Sequence, residues 1–248
     1  MEQLSLRYPS DSEAMIFYAL ALNEATELSD KTYARQLKAG AILEQVFAQQ
    51  PDHPGVAHYL IHSYDYEPLA ARALPGARHY AAIAPSAPHA LHMPSHIFSM
   101  LGLWSDVITS NTAAEVSSKA YAAKHLPGQT IWLHQQDFRI HAHLQLAQDQ
   151  EAKRIVDERN TVEKLALVRL PNETAFAAIP VRYAIERGRW AEAAALEPRG
   201  LTFPQAQAII HFGRALGGAR GGDLASARRD VEQLQALHDA LSQAKNAY

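Results

Sequence analysis

The stretch HPGVAHYLIHSYD, residues 53–65, sets His58 and His62 four residues apart, with Asp65 three further on. On an α-helix that spacing stacks all three side chains along one face. A second pair, His92 and His96, lies in HALHMPSHIF, and His92 follows His58 by the same interval as His96 follows His62. Neutral imidazole is a ligand for Zn, Cu, Fe or Ni, and a nearby carboxylate either joins it or accepts its other ring N–H. Packed helices lie roughly 8–10 Å apart, so histidines from two of them can converge on one ion at about 2.0–2.1 Å. The same spacing also suits a plainer role, in which the rings hydrogen-bond one another, a water or a backbone carbonyl as polar lining. The metalloprotease pattern HExxH is absent, because Tyr59 stands where its glutamate would be.

The distribution of histidine is uneven. Eleven of the thirteen fall between His53 and His143. The chain has no cysteine, which excludes disulfides and thiolate ligands, and its net charge of −3 with scattered Lys and Arg argues against nucleic acid as a partner. Neither an apolar run long enough to span a bilayer nor a secretion signal is visible. No Gly-rich phosphate loop follows a strand, and no serine sits in a nucleophile-elbow context.

The elements that must hold these histidines are helices. Apolar residues recur three and four apart in Ala- and Leu-rich segments, and period-two alternation is missing. Ser10 and Glu13 form a capping-box pattern ahead of the first long helical segment. GRWAEA at Gly188 and GDLASA at Gly222 are separated by the interval that separates the two histidine pairs; GLWSDV at Gly102 repeats the pattern, and AQDQEA at Ala147 is a weaker copy. Glycine permits a close turn between paired helices, a large residue such as Trp104 or Trp190 plugs their crossing, and alanine lets them approach. This pattern resembles the tetratricopeptide repeat, a helix–turn–helix unit of about 34 residues. The resemblance implies an all-α, right-handed superhelical solenoid of about five helix pairs, forming one domain over residues 1–248.

With Gly102 as position 15 of the repeat, His92 and His96 take positions 5 and 9 of a first helix. In tetratricopeptide repeats these positions line the concave groove. Carried to the next repeat, the register places Asp137 and His141 there, after an insertion around AKHLPGQT. His89 and His134 fall one turn earlier, and Arg182 falls one repeat later. The expected metal ligands are therefore His58, His62, His92, His96, His134, Asp137 and His141, with His89 and Arg182 in the ligand groove. Pro94 lies between His92 and His96; a helix running from Pro88 would be kinked there, whereas a helix starting at Pro94 would leave His92 in a loop. His53 reads as a turn or cap residue, Trp132 as a groove wall, and His79, His125, His143, His211 and His238 as surface residues.

The segments HPGVAHYLIHSYD and HALHMPSHIF, followed by LGLWSDVITSN, are similar to a group of bacterial tetratricopeptide-repeat proteins with H-P-G-x-x-H-Y-x-I-H and H-M-P-S-H-I signatures. The likeness is strongest over residues 51–115. It implies the fold and the site but no reaction. Two functions compete: a transition-metal-binding protein, extending to a metal-dependent enzyme, and a metal-free scaffold binding a protein or peptide; the groove's expected occupant is a small molecule or peptide. Longer members carry earlier repeats, so residues 1–8 read as a helical stub with Leu4 and Leu6 uncovered, favouring self-association. The sequence as it stands reads as cytoplasmic; a missing N-terminal segment would make it periplasmic or exported.

Overall fold

The computed structural model describes residues 1–27, 29–125, 132–163, 165 and 168–244. Among them every regular element is a helix. None is long and apolar enough to cross a membrane. The chain divides into two compact units, Met1–Ser117 and Ser118–Tyr248.

The first unit begins with α1 (Glu2–Arg7), which buries no residue; Leu4 and Leu6 are exposed. Helices α2 (Ser12–Glu24) and α3 (Ala34–Gln49) form a pair, followed by α4 (Pro54–Tyr64) and α5 (Ala70–Ile83). Next come the short helices α6 (Pro88–His92) and α7 (Pro94–Met100), then α8 (Trp104–His125), within which the division between units falls. The cap of α2 differs from the sequence expectation. The helix begins at Ser12, so Asp11, not Ser10, accepts from the backbone N–H groups of Glu13 and Ala14. His53 does cap α4: its Nδ1 accepts from Val56 N–H at 3.3 Å while its Nε2 meets Glu13 at 2.9 Å.

The second unit holds α9 (Leu133–Gln145), α10 (Asp149–Asn160), α11 (Leu170–Glu186), α12 (Trp190–Ala194), α13 (Pro204–Gly221) and α14 (Leu224–Gln243). Helix α11 is its spine. Ala175, Ile179 and Tyr183 pack with Leu133, Ile140 and Ile155 on one side, while Ala177 and Val181 pack with Leu201, Ala206 and Ile210 on the other. Pro180 lies inside α11 and cannot donate to the Phe176 carbonyl four residues back. Arg159 supplies the missing donor, its Nε meeting that carbonyl at 2.8 Å. Of the insertion expected around residues 123–130, residues 126–130 lie outside those described.

Four turns share one geometry. Gly102, Ala147, Gly188 and Gly222, the four residues aligned by the sequence register, all have left-handed φ, at 68°, 54°, 61° and 88°. The residue after each donates its N–H to a carbonyl five back: Leu103 to Phe98, Gln148 to His143, Arg189 to Ala184 and Asp223 to Gly218, at 2.8–2.9 Å. This is the helix-closing motif that favours glycine, since a Cβ in left-handed backbone meets the following carbonyl. The helices these turns join are unequal; α12 has five residues and α14 has twenty.

His143 and His211 depart from the expected surface placement. His143 is 5% exposed, with Nδ1 on Gln148 Oε1 at 2.7 Å, so it locks the Ala147 turn it precedes. His211 is tucked against the buried Asp230 at 2.8 Å. Their partners come from tertiary packing and the turn, which periodicity does not reveal.

Ala147 is the one turn residue of the four carrying a side chain. Ala147→Gly is expected to raise unfolding free energy by about 0.5–1 kcal/mol, and Gly188→Ala to lower it by about 1 kcal/mol or more. Urea denaturation of the two variants beside the parent measures both; equal midpoints for all three would refute the account of these turns.

Candidate metal centre

Helix α4 is clamped so that one face stays free for histidine. Tyr64 is fully buried and donates to Glu44 at 2.9 Å, and Arg72 bonds both oxygens of that carboxylate while lying over the tyrosine ring. A methyl group on Gly40 would sit 2.1 Å from the Tyr64 ring, so the α3–α4 approach requires glycine there. Ser63 bonds Asn23 of α2 at 2.9 Å. With Ser63 and Tyr64 turned into these contacts, the i,i+4 spacing sends His58 and His62 out together.

Their Nε2 atoms are 3.0 Å apart, and the Nε2 of His89 from the first turn of α6 is also 3.0 Å from that of His58. One ring nitrogen from each of the three lies within 4.8 Å of the others. Nitrogens sharing an ion at 2.0–2.1 Å are separated by about 2.9 Å at adjacent octahedral positions and about 3.4 Å at tetrahedral ones, so the His58–His62 and His58–His89 separations each suit a shared ion. Tyr80 of α5 stacks on His58, with planes 14° apart, and fixes the ring.

Electrostatics keep these rings neutral. Burial, then the like charges that His62, His89 and His96 would carry, push His58 down to about 3. Burial also lowers His62 and His89, with His96 adding to both; Asp65 and Glu24 oppose the shift at His62. A neutral imidazole is the form that binds metal.

His92 and His96 form a second arrangement. Asn111 of α8 donates its Nδ2 to the Val107 carbonyl at 3.0 Å, so its Oδ1 is the atom facing His92 Nδ1 at 2.6 Å. His92 Nδ1 therefore carries a hydrogen. His96 Nδ1 meets Asp65 Oδ2 at 2.8 Å and carries one for the same reason. The two Nε2 atoms, 3.2 Å apart, are then the unprotonated nitrogens of their rings. Both outer N–H groups have the acceptors that metal-ligating histidines use.

The break between α6 and α7 makes this division. Met93 keeps helical dihedrals, φ −52° and ψ −37°, so His92 stays on a helix and Pro94 opens the next. The observed geometry is neither of the two the sequence offered: His92 stays helical, as in the kinked helix, but Pro94 starts a separate helix. The nitrogens of the N-terminal unit thus fall into a trio, His58, His62 and His89, and a pair, His92 and His96. Sequence reasoning placed His89 one turn from the pair and did not assign roles to Tyr80 or Asn111. Asn111, a fully buried polar residue, carried a signal in its type. Asp65 stood in the opening motif, but one repeat length later the chain has Ser99, so the register could not select it.

His134, Asp137 and His141 lie on α9 in the second unit. Asp137 accepts from Arg182 of α11, Nε to Oδ1 at 2.7 Å, so these two expected groove residues form an ion pair with each other. Burial lowers His141, and the Arg182 charge adds to the effect. His134 packs edge-on to Phe138. Trp132 lies beneath the Lys119 ammonium. No protein family, curated protein or solved structure matches the chain.

The depressed histidines set a pH dependence. Unfolded, each titrates near 6.5; folded, each resists protonation, so the unfolded chain binds more protons as pH falls. Their stabilising contribution is complete above about 6.5 and is lost progressively toward the folded value, about 3 for His58. In metal-free protein the urea midpoint should fall between pH 6.5 and 5, above the carboxylate range, and His58→Gln should flatten that fall. A midpoint constant across this window would contradict the assignment.

Proposed function

We propose that the chain is a tetratricopeptide-like helical-repeat protein that binds a transition metal ion through His58, His62 and His89. The convergence of their three Nε2 atoms carries this reading, and the neutrality of the rings supports it. The four left-handed turns in register support the repeat assignment. His92 and His96, braced by Asn111 and Asp65, offer two further nitrogens for metal on the same unit. Imidazole ligands favour Zn, Cu, Fe or Ni. An ion held by three histidines keeps a coordination position for water or substrate, which makes metal-assisted chemistry the class of reaction such a centre serves.

Protein purified without a histidine tag should contain metal by elemental analysis. After chelation and dialysis, adding the preferred ion at about 100 times its dissociation constant should stabilise the fold by about 2.7 kcal/mol, a rise of roughly 5–10 °C in Tm. His58→Ala, His62→Ala and His89→Ala should each remove most of that gain, while His211→Ala and His238→Ala leave it intact. Identical melting with and without Zn, Cu, Ni, Mn and Fe, and no co-purifying metal, would assign the histidines to a polar groove for an organic or peptide ligand.

A further inference from the structure

The second unit contains a cavity of about 860 Å³ between the end of α10, the middle of α11 and the chain entering α13. Its volume lies within the range of small-molecule sites. Val162, Leu165, Val168, Phe176, Leu196 and Ile210 give it an apolar wall, and Arg159 brings a guanidinium to it.

The state of that guanidinium is unusual. Its Nε is committed to the Phe176 carbonyl that Pro180 leaves without a donor, its Nη1 bonds the Asn160 amide oxygen at 3.1 Å, and its central carbon lies 3.5 Å from the Phe176 ring centroid. These contacts fix the group in orientation, yet none supplies negative charge. Among the described residues no carboxylate pairs with it, and Nη2 has no protein acceptor. Glu163 and Glu197 also line the cavity, but Glu197 is held by Arg199 at 2.6 Å and Glu163 makes no ion pair with Arg159. Burial without a counter-charge pushes Arg159 down to about 10, which leaves it charged at neutral pH. A half-buried charge without a partner is costly, and the ligand that relieves it is an anion.

We propose that this cavity binds a small organic carboxylate, its anionic end on Nη2 of Arg159 and its hydrocarbon or aryl body against the apolar wall. A single uncompensated cation with two glutamates nearby favours a monoanion over phosphate, and a charge-assisted hydrogen bond from Nη2 to a carboxylate oxygen is stronger than one to a neutral acceptor. The site is independent of the histidine centre and requires no metal.

Linear carboxylates from acetate to decanoate, the neutral amide of octanoate, and inorganic phosphate test the proposal by calorimetry and thermal shift on the full chain, with chelator present. Octanoate should bind and raise Tm, with affinity growing with chain length, and octanamide should bind at least about tenfold more weakly. Removing Arg159 alone would also strip the Phe176 carbonyl of its donor, so the informative variant is Arg159→Met combined with Pro180→Ala, in which residue 180 regains an N–H for that carbonyl. Octanoate binding should survive in Pro180→Ala alone and weaken about tenfold or more in the double variant. The proposal is overturned if octanoate does not bind the parent at millimolar concentration, if octanamide binds equally well, if the double variant binds octanoate as the parent does, or if phosphate is preferred.

Discussion

Two imidazole nitrogens 3.0 Å apart, one on α4 and one on α6, set the terms for the N-terminal unit. For His58 and His89 to meet, the face of α4 bearing His58 must point toward the first turn of α6, and the rest of the α4 surface must be consumed elsewhere. Tyr64, Glu44 and Arg72 consume it on one side and Ser63 with Asn23 on another. Gly40 is small because Tyr64 must pass it. Tyr80 then holds the His58 ring where desolvation and neighbouring histidines keep it unprotonated. The packing of α2 to α5 thus does for His58 what a ligand shell needs: it removes the proton and fixes the ring.

The His92–His96 pair obeys a different rule. Its orientation comes from the outer nitrogens, each tied to an oxygen that accepts its hydrogen. In the trio, neutrality is enforced by environment; in the pair, the tautomer is enforced by partners. Proline separates the two, since an unbroken helix from Pro88 to Met100 would have kept His89, His92 and His96 on one continuous face.

The helical character of the chain was legible because apolar spacing is a local property, and the four turns were legible because left-handed backbone selects small residues. Even Ala147, the weakest match, takes the same conformation as the three glycines. The candidate site was legible in part. His58 and His62 share a helix face by arithmetic alone, and the register brought attention to His92 and His96. What lay out of reach were contacts made across the fold: Asn111 against His92, Tyr80 against His58, Arg182 taking up Asp137, and the inward placement of His143 and His211. None of these follows from spacing within one segment, and each depends on how neighbouring helices are rotated.

The link between Arg159 and Pro180 has a historical consequence. Helix α11 carries a carbonyl whose donor comes from another helix. A lineage that acquired Pro180 before Arg159 would have passed through a form with that acceptor unsatisfied in a half-buried position, whereas one that acquired Arg159 first would have left no acceptor without a donor. The order in which these two residues can arise is therefore constrained, and once both are present neither reverts independently with equal ease: proline can give way to a residue with an N–H, but arginine is retained for as long as proline stays.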